Sequence, residues 1–349
     1  MKTYRIASIP GDGIGKEVIA AGIDVLNSLS EQESFRIEFT AFDWNSECYL
    51  ETGVYIPEGG LEQLKSFDAI FFGAVGSPKV PDHVSLWGLR LPICQGFDQY
   101  ANVRPSRVLP GVQSPLRNGN EIDWVIIREN TEGEYSGSGG RVHRGLPEEI
   151  ATETSVFTRV GVERIHRFAF ELSRKRKRKH LTLVTKSNAQ RHGMVLWDEI
   201  FYEVAKHYPD VQTDRVLVDA VTTRMVLKPG SLDTIVASNL HADILSDLAA
   251  ALSGSLGIAP TANLNPERKF PSMFEPIHGS AFDITGKGVA NPIATFWTAS
   301  MMLEHLGEAR AAARLMVVIE TVTRKKVFTP DLGGRATTRQ VTEAVLEAL

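Results

Sequence analysis

Short apolar runs alternate with longer amphipathic segments along this chain, and this alternation restricts the possible folds more than any other feature of the sequence. The short runs match buried strands, and the longer segments repeat apolar residues at the helical period. Strands that alternate with helices are typical of α/β proteins with a parallel sheet. We predict strands over 4–9, 69–73, 124–128, 181–185, 215–219 and 234–238, and helices over 15–28, 160–174, 193–206, 220–228, 242–251, 292–306, 309–323 and 338–349.

Length and composition limit the class of protein. The 349 residues are enough for two domains, and a hydrophobic content of 43% supports a large core. A net charge of −4 argues against general nucleic-acid binding. No apolar run is long enough to span a membrane, and the first residues lead into a strand instead of a signal peptide. Cys48 and Cys94 are too few for a disulfide framework, so we expect a cytoplasmic protein.

The segment from Glu132 to Arg159 departs from the alternation. It begins rich in Gly and Ser and then alternates polar and apolar residues, which predicts a β-ribbon over 133–159 instead of a crossover helix. A ribbon that protrudes from a soluble protein must cover its edge strands. Pairing with a second copy would cover them, and we therefore predict a homodimer.

Two aspartates lie four residues apart in the segment that follows the predicted strand 234–238. If this segment is helical, Asp243 and Asp247 share one face, at the edge of the sheet where open α/β proteins bind their ligands. Paired carboxylates suit a hard divalent cation such as Mg²⁺ or Mn²⁺. Such pairs are also common on solvated helix faces, so the spacing alone leaves both interpretations open.

Lys186 and Asp219 lie at the carboxyl ends of two other predicted strands. In a site that already holds a cation, Lys186 can serve as a general base, although it is otherwise an ordinary exposed lysine. Asp219 at a strand end is often only a helix cap. Together with Asp243 and Asp247, however, it supplies three carboxylates from two successive strand–helix junctions, which favours a shared function.

Two arginines lie near the same predicted edge of the sheet. Arg104 is part of Ala-Asn-Val-Arg-Pro at 101–105, and Arg128 closes a predicted strand. The planar guanidinium matches a carboxylate with two parallel hydrogen bonds, so the pair fits a dicarboxylate substrate. Surface ion pairing is the alternative for either arginine taken singly.

Three further patterns have both a structural and a functional interpretation. The glycine loop at 10–15 is a tight turn or a nucleotide-binding loop, although its spacing is not G-x-G-x-x-G. The basic run at 174–179 closes a predicted helix, where cations interact favourably with the helix dipole, and nucleic-acid binding is the alternative. The loop at 278–292 either connects two elements or lets a ligand approach its backbone.

Six short motifs occur in order along the chain. They are Pro-Gly-Asp-Gly-Ile-Gly at 10–15, Ala-Asn-Val-Arg-Pro at 101–105, Arg-Glu-Asn-Thr-Glu-Gly-Glu-Tyr at 128–135, Lys-Ser-Asn at 186–188, Asn-Leu-His-Ala-Asp-Ile-Leu-Ser-Asp at 239–247 and His-Gly-Ser-Ala at 278–281. In combination, these motifs resemble the β-decarboxylating dehydrogenases, the family of isopropylmalate and isocitrate dehydrogenases. The resemblance implies a doubly wound, two-domain isopropylmalate dehydrogenase-like fold with a cleft between the domains. The first domain would be discontinuous, comprising 1–100 and 257–349, and the second, 101–256, would carry the metal site and a dimer-forming β arm at 133–159.

The resemblance also implies a metal site that two subunits share. Mn²⁺ or Mg²⁺ would lie on Asp243, Asp247 and Asp219 of the partner subunit, and Lys186 would likewise enter the partner's site. Lys186, Tyr135 and Asp219 would be the catalytic residues, with Lys186 accepting the proton of a hydroxyl group and Tyr135 returning one to carbon. The functional unit would then be the homodimer.

The remaining site residues follow from the same resemblance. Arg104 and Arg128 would bind the substrate carboxylate. Asp283 would accept hydrogen bonds from ribose hydroxyls and repel a 2′-phosphate, so we expect NAD instead of NADP. The resemblance leaves a requirement for a monovalent cation such as K⁺ open. The cofactor-binding residues that it implies are Ile14, Glu275, His278, Gly279, Ser280, Ala281, Asp283 and Asn291.

One position departs from the family pattern. Ten residues before Arg104, where the family usually has another arginine, this chain has Cys94, and Pro92 is expected to distort the helix there. Arg90 is the candidate replacement as a substrate contact, and its charge disfavours an isopropyl substituent. We therefore expect a small hydroxy-dicarboxylate such as tartrate or D-malate. A 3-isopropylmalate or isocitrate dehydrogenase, or a catalytically silent regulatory subunit, is the alternative.

Overall fold

All six strands predicted from the apolar runs are present, and the two strands of the ribbon and four unpredicted strands join them. In chain order the strands are β1 (Lys2–Gly11), β2 (Phe35–Ala41), β3 (Ala69–Ala74), β4 (Ala101–Arg107), β5 (Asp123–Glu129), β6 (Gly133–Val142), β7 (Ile150–Val156), β8 (His180–Thr185), β9 (Gln212–Leu217), β10 (Thr234–Ala237), β11 (Pro260–Leu264) and β12 (Ser272–Pro276). The helices are α1 (Gly15–Gln32), α2 (Ser46–Thr52), α3 (Gly60–Leu64), α4 (Asp82–Ser85), α5 (Leu91–Gly96), α6 (Arg159–Lys175), α7 (Gly193–Ala205), α8 (Val218–Leu227), α9 (Asn239–Ser253), α10 (Ile293–Leu306), α11 (Ala309–Arg324) and α12 (Thr338–Ala348).

The computed structural model describes residues 1–349, and the chain divides into two units. Unit 1 comprises Met1–Gln99, Arg107–Asn120 and Ala250–Leu349, and unit 2 comprises Tyr100–Ser106 and Glu121–Ala249. The α/β class predicted from the sequence is confirmed in both units. None of the helices combines the length and the apolar character needed to cross a membrane.

The two units differ from the predicted boundaries of the second domain, 101–256, at two segments. Residues 107–120 and 250–256 belong to unit 1. The physical reason is their contacts within that unit: the guanidinium of Arg107 donates to Glu320 at 2.6 Å, and the hydroxyl of Ser114 donates to the carbonyl oxygen of Leu252 at 2.6 Å.

Unit 1 is built on five strands in the order β2-β1-β3-β12-β11, and all neighbours are parallel except β11 and β12. Every residue of the central strand β3 is buried, which explains its continuous apolar sequence. Helix α1 packs closely on this strand: a Cβ at Gly22 would lie 2.8 Å from the ring of Phe71. Because β1, β3 and β12 are parallel, their carboxyl ends lie at the same edge of the sheet.

Unit 2 orders its strands β4-β5-β10-β8-β9, and β10 runs parallel to both β5 and β8. Parallel strands end at the same edge of a sheet, so the residues that follow β5, β8 and β10 are brought together there. Strands β6 and β7 form a separate antiparallel ribbon, as predicted. Its apolar residues Val142 and Ile150 are more than half exposed, which leaves the ribbon available for a partner.

His166 on α6 is fully buried in unit 2, and neither ring nitrogen has a hydrogen-bond partner. Its ring contacts those of Trp197 and Phe201 at centroid distances of 4.4 and 5.3 Å. Burial lowers the pKa of His166 to about 3. Below the ordinary pKa of histidine the unfolded chain therefore binds a proton that the folded protein does not, and stability falls as the pH falls through this window.

Because of His166, we expect the free energy of unfolding to fall by about 3 kcal/mol when the pH is lowered from 7 to 4. The variant His166→Leu should lose that part of the pH dependence, which urea denaturation at the two pH values would measure. His207 is exposed, so His207→Leu is the matched control and should keep the native pH dependence. An unchanged dependence in His166→Leu would contradict the prediction.

Candidate functional site

The site in unit 2 is organised around the carboxylate of Asp243 on α9. Arg104 and Arg128 both donate to its Oδ1, the former at 3.2 Å, and the hydroxyl of Tyr135 donates to Oδ2 at 3.1 Å. The side chains of Arg104 and Arg128 are only 6% and 2% exposed. Because charged hydrogen bonds of this kind are the strong ones, the cluster is a preformed carboxylate-binding arrangement whose donors face Asp243 in this structure.

The strand ends and neighbouring amides hold the two arginines in position. Arg104 lies on β4 and donates through Nε to Asn102 at 2.9 Å, while Arg128 near the end of β5 donates through Nε to Asn239 at 2.8 Å. Ser246 gives Arg104 a further acceptor. Sequence reasoning missed Asn102, Asn239 and Ser246, although the latter two lie inside the motif at 239–247. For Asn239 and Ser246, the signal that could have identified them was their position one helical turn from Asp243.

Asp247 lies one helical turn after Asp243, as the spacing predicted. Although Asp247 is exposed as a residue, desolvation by surrounding protein atoms raises the pKa of its carboxyl, Arg104 opposes the shift and the charge of Asp243 adds to it. Two crowded carboxylates of this kind fit a divalent cation. A single chain brings no third His, Cys, Asp or Glu to them. A third ligand from a partner subunit stays a prediction.

Lys186 follows β8 directly and donates to the carboxylate of Asp219. This hydrogen bond lowers the pKa of Asp219. The predicted strand 215–219 is corrected here: β9 ends at Leu217, and Asp219 lies in the first turn of α8, where an acidic side chain interacts favourably with the helix dipole. Within one chain, Asp219 therefore belongs to a pair with Lys186.

The predicted cofactor residues lie in unit 1. The backbone N–H of Ile14 donates to the carbonyl oxygen of Ser280 at 2.8 Å, so the glycine loop after β1 contacts the loop after β12 directly. A Cβ at Gly13 would lie 2.0 Å from that same oxygen, and Gly13 has a positive φ. The glycines of 10–15 thus form the tight turn of the structural interpretation, and this turn supports the predicted nucleotide loop.

Two buried polar atoms in this loop have no partner, Nε2 of His278 and Oγ of Ser280. Burial lowers the pKa of His278, so its ring is neutral at physiological pH. Gly279 and Asp283 are exposed, and Ala281 has a positive φ. Unpartnered buried donors and acceptors beside an accessible backbone fit the polar groups of a nucleotide.

Asn291 has a structural role that the sequence did not indicate. Its amide donates to Asp331 at 3.0 Å, and its carbonyl oxygen accepts from the N–H of Ile293 at 3.0 Å, where α10 begins. Its position beside the nucleotide loop is therefore fixed by contacts within unit 1.

Arg90 forms a buried ion pair with the predicted cofactor residue Glu275. Its Nε and Nη2 both lie 2.8 Å from Oε1 of Glu275, and the two side chains are 11% and 7% exposed. Asn263 bridges them, accepting from Arg90 at 3.2 Å and donating to Glu275 at 2.8 Å. These partners account for the orientation of Arg90, and its contact with substrate stays a prediction.

The expected distortion at Pro92 is present as a turn of π-helix at Leu86–Arg90, immediately before α5. The N–H of Leu91 donates to the carbonyl oxygen of Leu86, five residues back. Such π-turns are frequent at functional sites. Cys94 is fully buried in the apolar cluster of unit 1, so it has a packing role where the family usually has an arginine.

The basic run at 174–179 is accounted for by ion pairs. Arg174 lies 3.0 Å from Asp210, Arg176 lies 2.6 Å from the buried Asp233, and Lys179 lies 3.5 Å from Asp210. These pairs connect the end of α6 with neighbouring turns, which favours the structural interpretation of the run.

The family model described as isocitrate/isopropylmalate dehydrogenase matches residues 5–345 of this sequence. This chain belongs to the isocitrate/isopropylmalate dehydrogenase family. The resemblance recognised in the motifs is thus confirmed, and the protein is an enzyme of the oxidoreductase class.

Relatives with high identity carry two related names. A probable tartrate dehydrogenase/decarboxylase of Agrobacterium vitis is 68% identical, covering 100% of this chain and 98% of its own. A D-malate dehydrogenase (decarboxylating) of Escherichia coli strain K12 is 51% identical, with 100% and 99% covered. The crystal structure of isocitrate dehydrogenase from Methylococcus capsulatus is similar with a TM-score of 0.89 and 35% identity over 99% of each chain, which confirms the predicted fold class.

Glu129 is a further residue of the site that sequence reasoning missed. It follows Arg128 on β5 and is 2% exposed. Burial raises the pKa of its carboxyl to about 7, although it accepts hydrogen bonds from the N–H groups of Thr131 and Glu132 at 2.9 and 2.8 Å. These bonds fix the turn that leads from β5 into the ribbon, so Glu129 positions the start of the segment that carries Tyr135.

Proposed function

We propose that this enzyme oxidises a small 2-hydroxy dicarboxylic acid, tartrate or D-malate, with NAD⁺ and a divalent cation, and that the keto acid formed then loses CO₂. The observation that supports this most directly is the convergence of Arg104, Arg128 and Tyr135 on Asp243, next to Asp247. The names of the relatives point to the same substrate class.

The residues of unit 2 would bind and activate the acid. Arg104 and Arg128 offer guanidinium groups to a substrate carboxylate, and burial removes water that would compete for them. Lys186 accepts the proton of the substrate hydroxyl group, and Tyr135 donates a proton to the carbon that loses CO₂. In this structure the Tyr135 hydroxyl donates a hydrogen bond to the Asp243 carboxylate, and this bond orients the hydroxyl group.

Asp243, Asp247 and Asp219 of the partner subunit would hold Mn²⁺ or Mg²⁺, and Ile14, Glu275, Asp283, Asn291 and the loop 278–281 would hold the nucleotide. When bound, the cation polarises oxygen atoms of the acid and the nicotinamide accepts a hydride.

A homodimer with shared active sites is part of this proposal. The ribbon exposes Val142 and Ile150, and α8 and α9 expose Leu227 and Ile244, which are 69% and 55% accessible. Exposed apolar side chains on successive elements are typical of subunit interfaces. Lys186 follows β8, and Asp219 lies in the first turn of α8. In the proposed dimer, both residues would reach the partner's active site.

The proposal is tested by a spectrophotometric substrate panel with NAD⁺ and Mn²⁺. We expect NADH formation from D-malate or a tartrate isomer, and at least about 10-fold lower kcat/KM with isocitrate and 3-isopropylmalate. Release of CO₂ together with NADH supports decarboxylation. Preference for isocitrate would transfer the assignment to that branch of the family, and inactivity on the whole panel would support a regulatory subunit.

Removal of the cation should abolish turnover. We expect EDTA to inactivate the enzyme and Mn²⁺ to restore its activity. Asp247→Asn should raise the Mn²⁺ concentration for half-maximal rate at least about 10-fold, since replacing even a residue that only hydrogen-bonds to a metal ligand lowers metal affinity by that factor. Glu171 is exposed on α6, so Glu171→Gln is a control that should leave the Mn²⁺ dependence unchanged. Turnover that survives EDTA would contradict the metal site.

Asp283 should determine the choice of nucleotide. We expect kcat/KM to favour NAD⁺ over NADP⁺ by about 100-fold, and Asp283→Ala to reduce this preference about 10-fold, because the variant loses both the ribose hydrogen bond and the repulsion of a 2′-phosphate. Asp283→Asn retains an acceptor and separates the two effects. A native preference for NADP⁺ would overturn the assignment.

A further inference from the structure

Unit 1 contains a cavity of about 310 Å³ at the amino-terminal ends of β1, β3 and β12. Ile14 and the loop 278–281, which are predicted to bind the nucleotide, follow the carboxyl ends of β1 and β12, so the cavity lies at the opposite edge of this part of the sheet. We call it the basic pocket and define it by its lysine, arginine, aspartate and histidine lining residues: Lys2, Lys65, Asp68, Arg268, Lys269 and His305.

The basic pocket carries an excess of positive charge on a protein whose net charge is −4. Four of its lining residues are cations and one, Asp68, is a carboxylate. Asp68 already accepts a hydrogen bond from the backbone N–H of Arg5 at 2.7 Å. A concave surface of one sign concentrates ions of the opposite sign, so this excess attracts anions.

The four cations of the basic pocket differ in the contacts that they already form within the protein. Lys65 lies 2.6 Å from Glu62, and Lys2 lies over the ring of Tyr4 at 4.6 Å. Arg268 and Lys269 form no ion pair with any carboxylate, and both are exposed. Two neighbouring cations at the mouth of a cavity are therefore available to a ligand.

The loop that carries these two cations is held in a defined shape. Asn265 is 2% exposed, and its side-chain oxygen accepts from the N–H groups of Lys269 and Phe270 at 2.8 and 3.3 Å. Arg268 has a φ of +55°, an uncommon conformation for arginine that this loop imposes. The backbone that carries Arg268 and Lys269 is therefore already ordered before a ligand binds, which lowers the entropic cost of binding.

His305 contributes a neutral polar group to the same pocket. Burial, and then the nearby charge of Arg268, lower the pKa of His305 to about 4. Arg268 and His305 both line the pocket. The neutral ring can donate one hydrogen bond to an anionic oxygen without itself requiring a counter-ion.

We propose that the basic pocket binds a small polyvalent anion, whose phosphate or multiple carboxylate groups contact Arg268 and Lys269 at the mouth. The volume of the pocket admits a molecule of metabolite size. Arginine offers paired donors and lysine a point charge, a combination that suits oxyanions. The site is separate from the proposed active site, so it does not depend on the proposed substrate.

Calorimetric titration of the purified native protein at low ionic strength tests the proposal, with pyrophosphate, AMP and citrate as the three probes. We expect saturable binding of at least one probe, weakened at least about 10-fold in the double variant Arg268→Ala/Lys269→Ala. Binding of pyrophosphate or AMP alone assigns a phosphate ligand, and binding of citrate alone assigns a polycarboxylate. Absence of saturable binding with all three overturns the proposal.

A control of equal charge separates a site from general attraction. Lys175 and Lys177 are exposed on unit 2 and form no ion pair, so Lys175→Ala/Lys177→Ala removes the same two charges elsewhere. This control should keep the native Kd within about twofold. Equal weakening in both double variants, or full binding in the pocket variant, refutes the site. The exposed single variant Lys269→Glu repeats the test should the double variant unfold.

Discussion

Turnover is expected to fall about 10²–10⁴-fold when Lys186 is replaced by methionine, the usual contribution of a general base. Methionine keeps the length and apolar stem of the side chain and removes only the amine. In this structure Lys186 pairs with Asp219, which is 63% exposed, so loss of the pair should leave the free energy of unfolding nearly unchanged. Steady-state kinetics together with urea denaturation measure both effects.

Arginine at the same position distinguishes a base from a positive charge. Lys186→Arg retains the charge, but a guanidinium does not deprotonate in proteins. If Lys186 accepts the substrate proton, this variant should be nearly as slow as Lys186→Met. A variant with arginine that turns over at the native rate would instead assign Lys186 an electrostatic role, and native turnover in the methionine variant would remove it from the mechanism.

Mixed dimers show whether Lys186 acts in its own site or in that of its partner. A protomer with Lys186→Met is co-expressed with one carrying Asp243→Asn, and the heterodimer is purified through two different tags. If sites are shared, both defects fall in one active site and the other is intact, so the heterodimer should have about half the native activity. If sites are not shared, both are defective and the heterodimer should be as inactive as its parents.

The local structure of the site could be predicted because it depends on residues that are near one another in the sequence. The spacing of Asp243 and Asp247 is sufficient to place both on one face of a helix, and α9 does cover them. Strands β11 and β12 were missed, since each has five residues and begins or ends with a proline, as at Pro260 and Pro276. Short runs of that kind give no clear period.

The contacts of the site could not be predicted because they join residues that are far apart in the chain. Arg128 and Asp243 are separated by 115 positions, and they meet because β5 and β10 are parallel neighbours in a register that no local pattern encodes. Sequence reasoning assigned both arginines to a substrate carboxylate and did not foresee a carboxylate of the chain itself. Arg90 and Glu275 are 185 positions apart, and sequence reasoning assigned Arg90 to the substrate and Glu275 to the nucleotide.

That buried pair carries the largest expected effect on stability. Arg90→Met should lower the unfolding free energy by about 3–5 kcal/mol, because it leaves the carboxylate of Glu275 buried with only the amide of Asn263 as a partner among these contacts. Glu275→Gln should cost less, since the amide still accepts from Arg90. In the double variant Arg90→Met/Glu275→Gln the uncompensated charge is gone, so most of the stability should return, and urea denaturation of all four proteins measures the coupling.

The same double variant shows whether Arg90 only stabilises Glu275 or also contacts the substrate. Once stability is recovered, any remaining defect reflects what the guanidinium does in the reaction. If Arg90 also binds the acid, as expected from its replacement of the family's arginine, KM for the acid should stay raised while KM for NAD⁺ responds mainly to Glu275→Gln. Native KM for the acid in the stable double variant would contradict substrate binding by Arg90. The π-turn before Pro92 would then serve only to bring Arg90 to Glu275, and substrate selection would depend on Arg104 and Arg128.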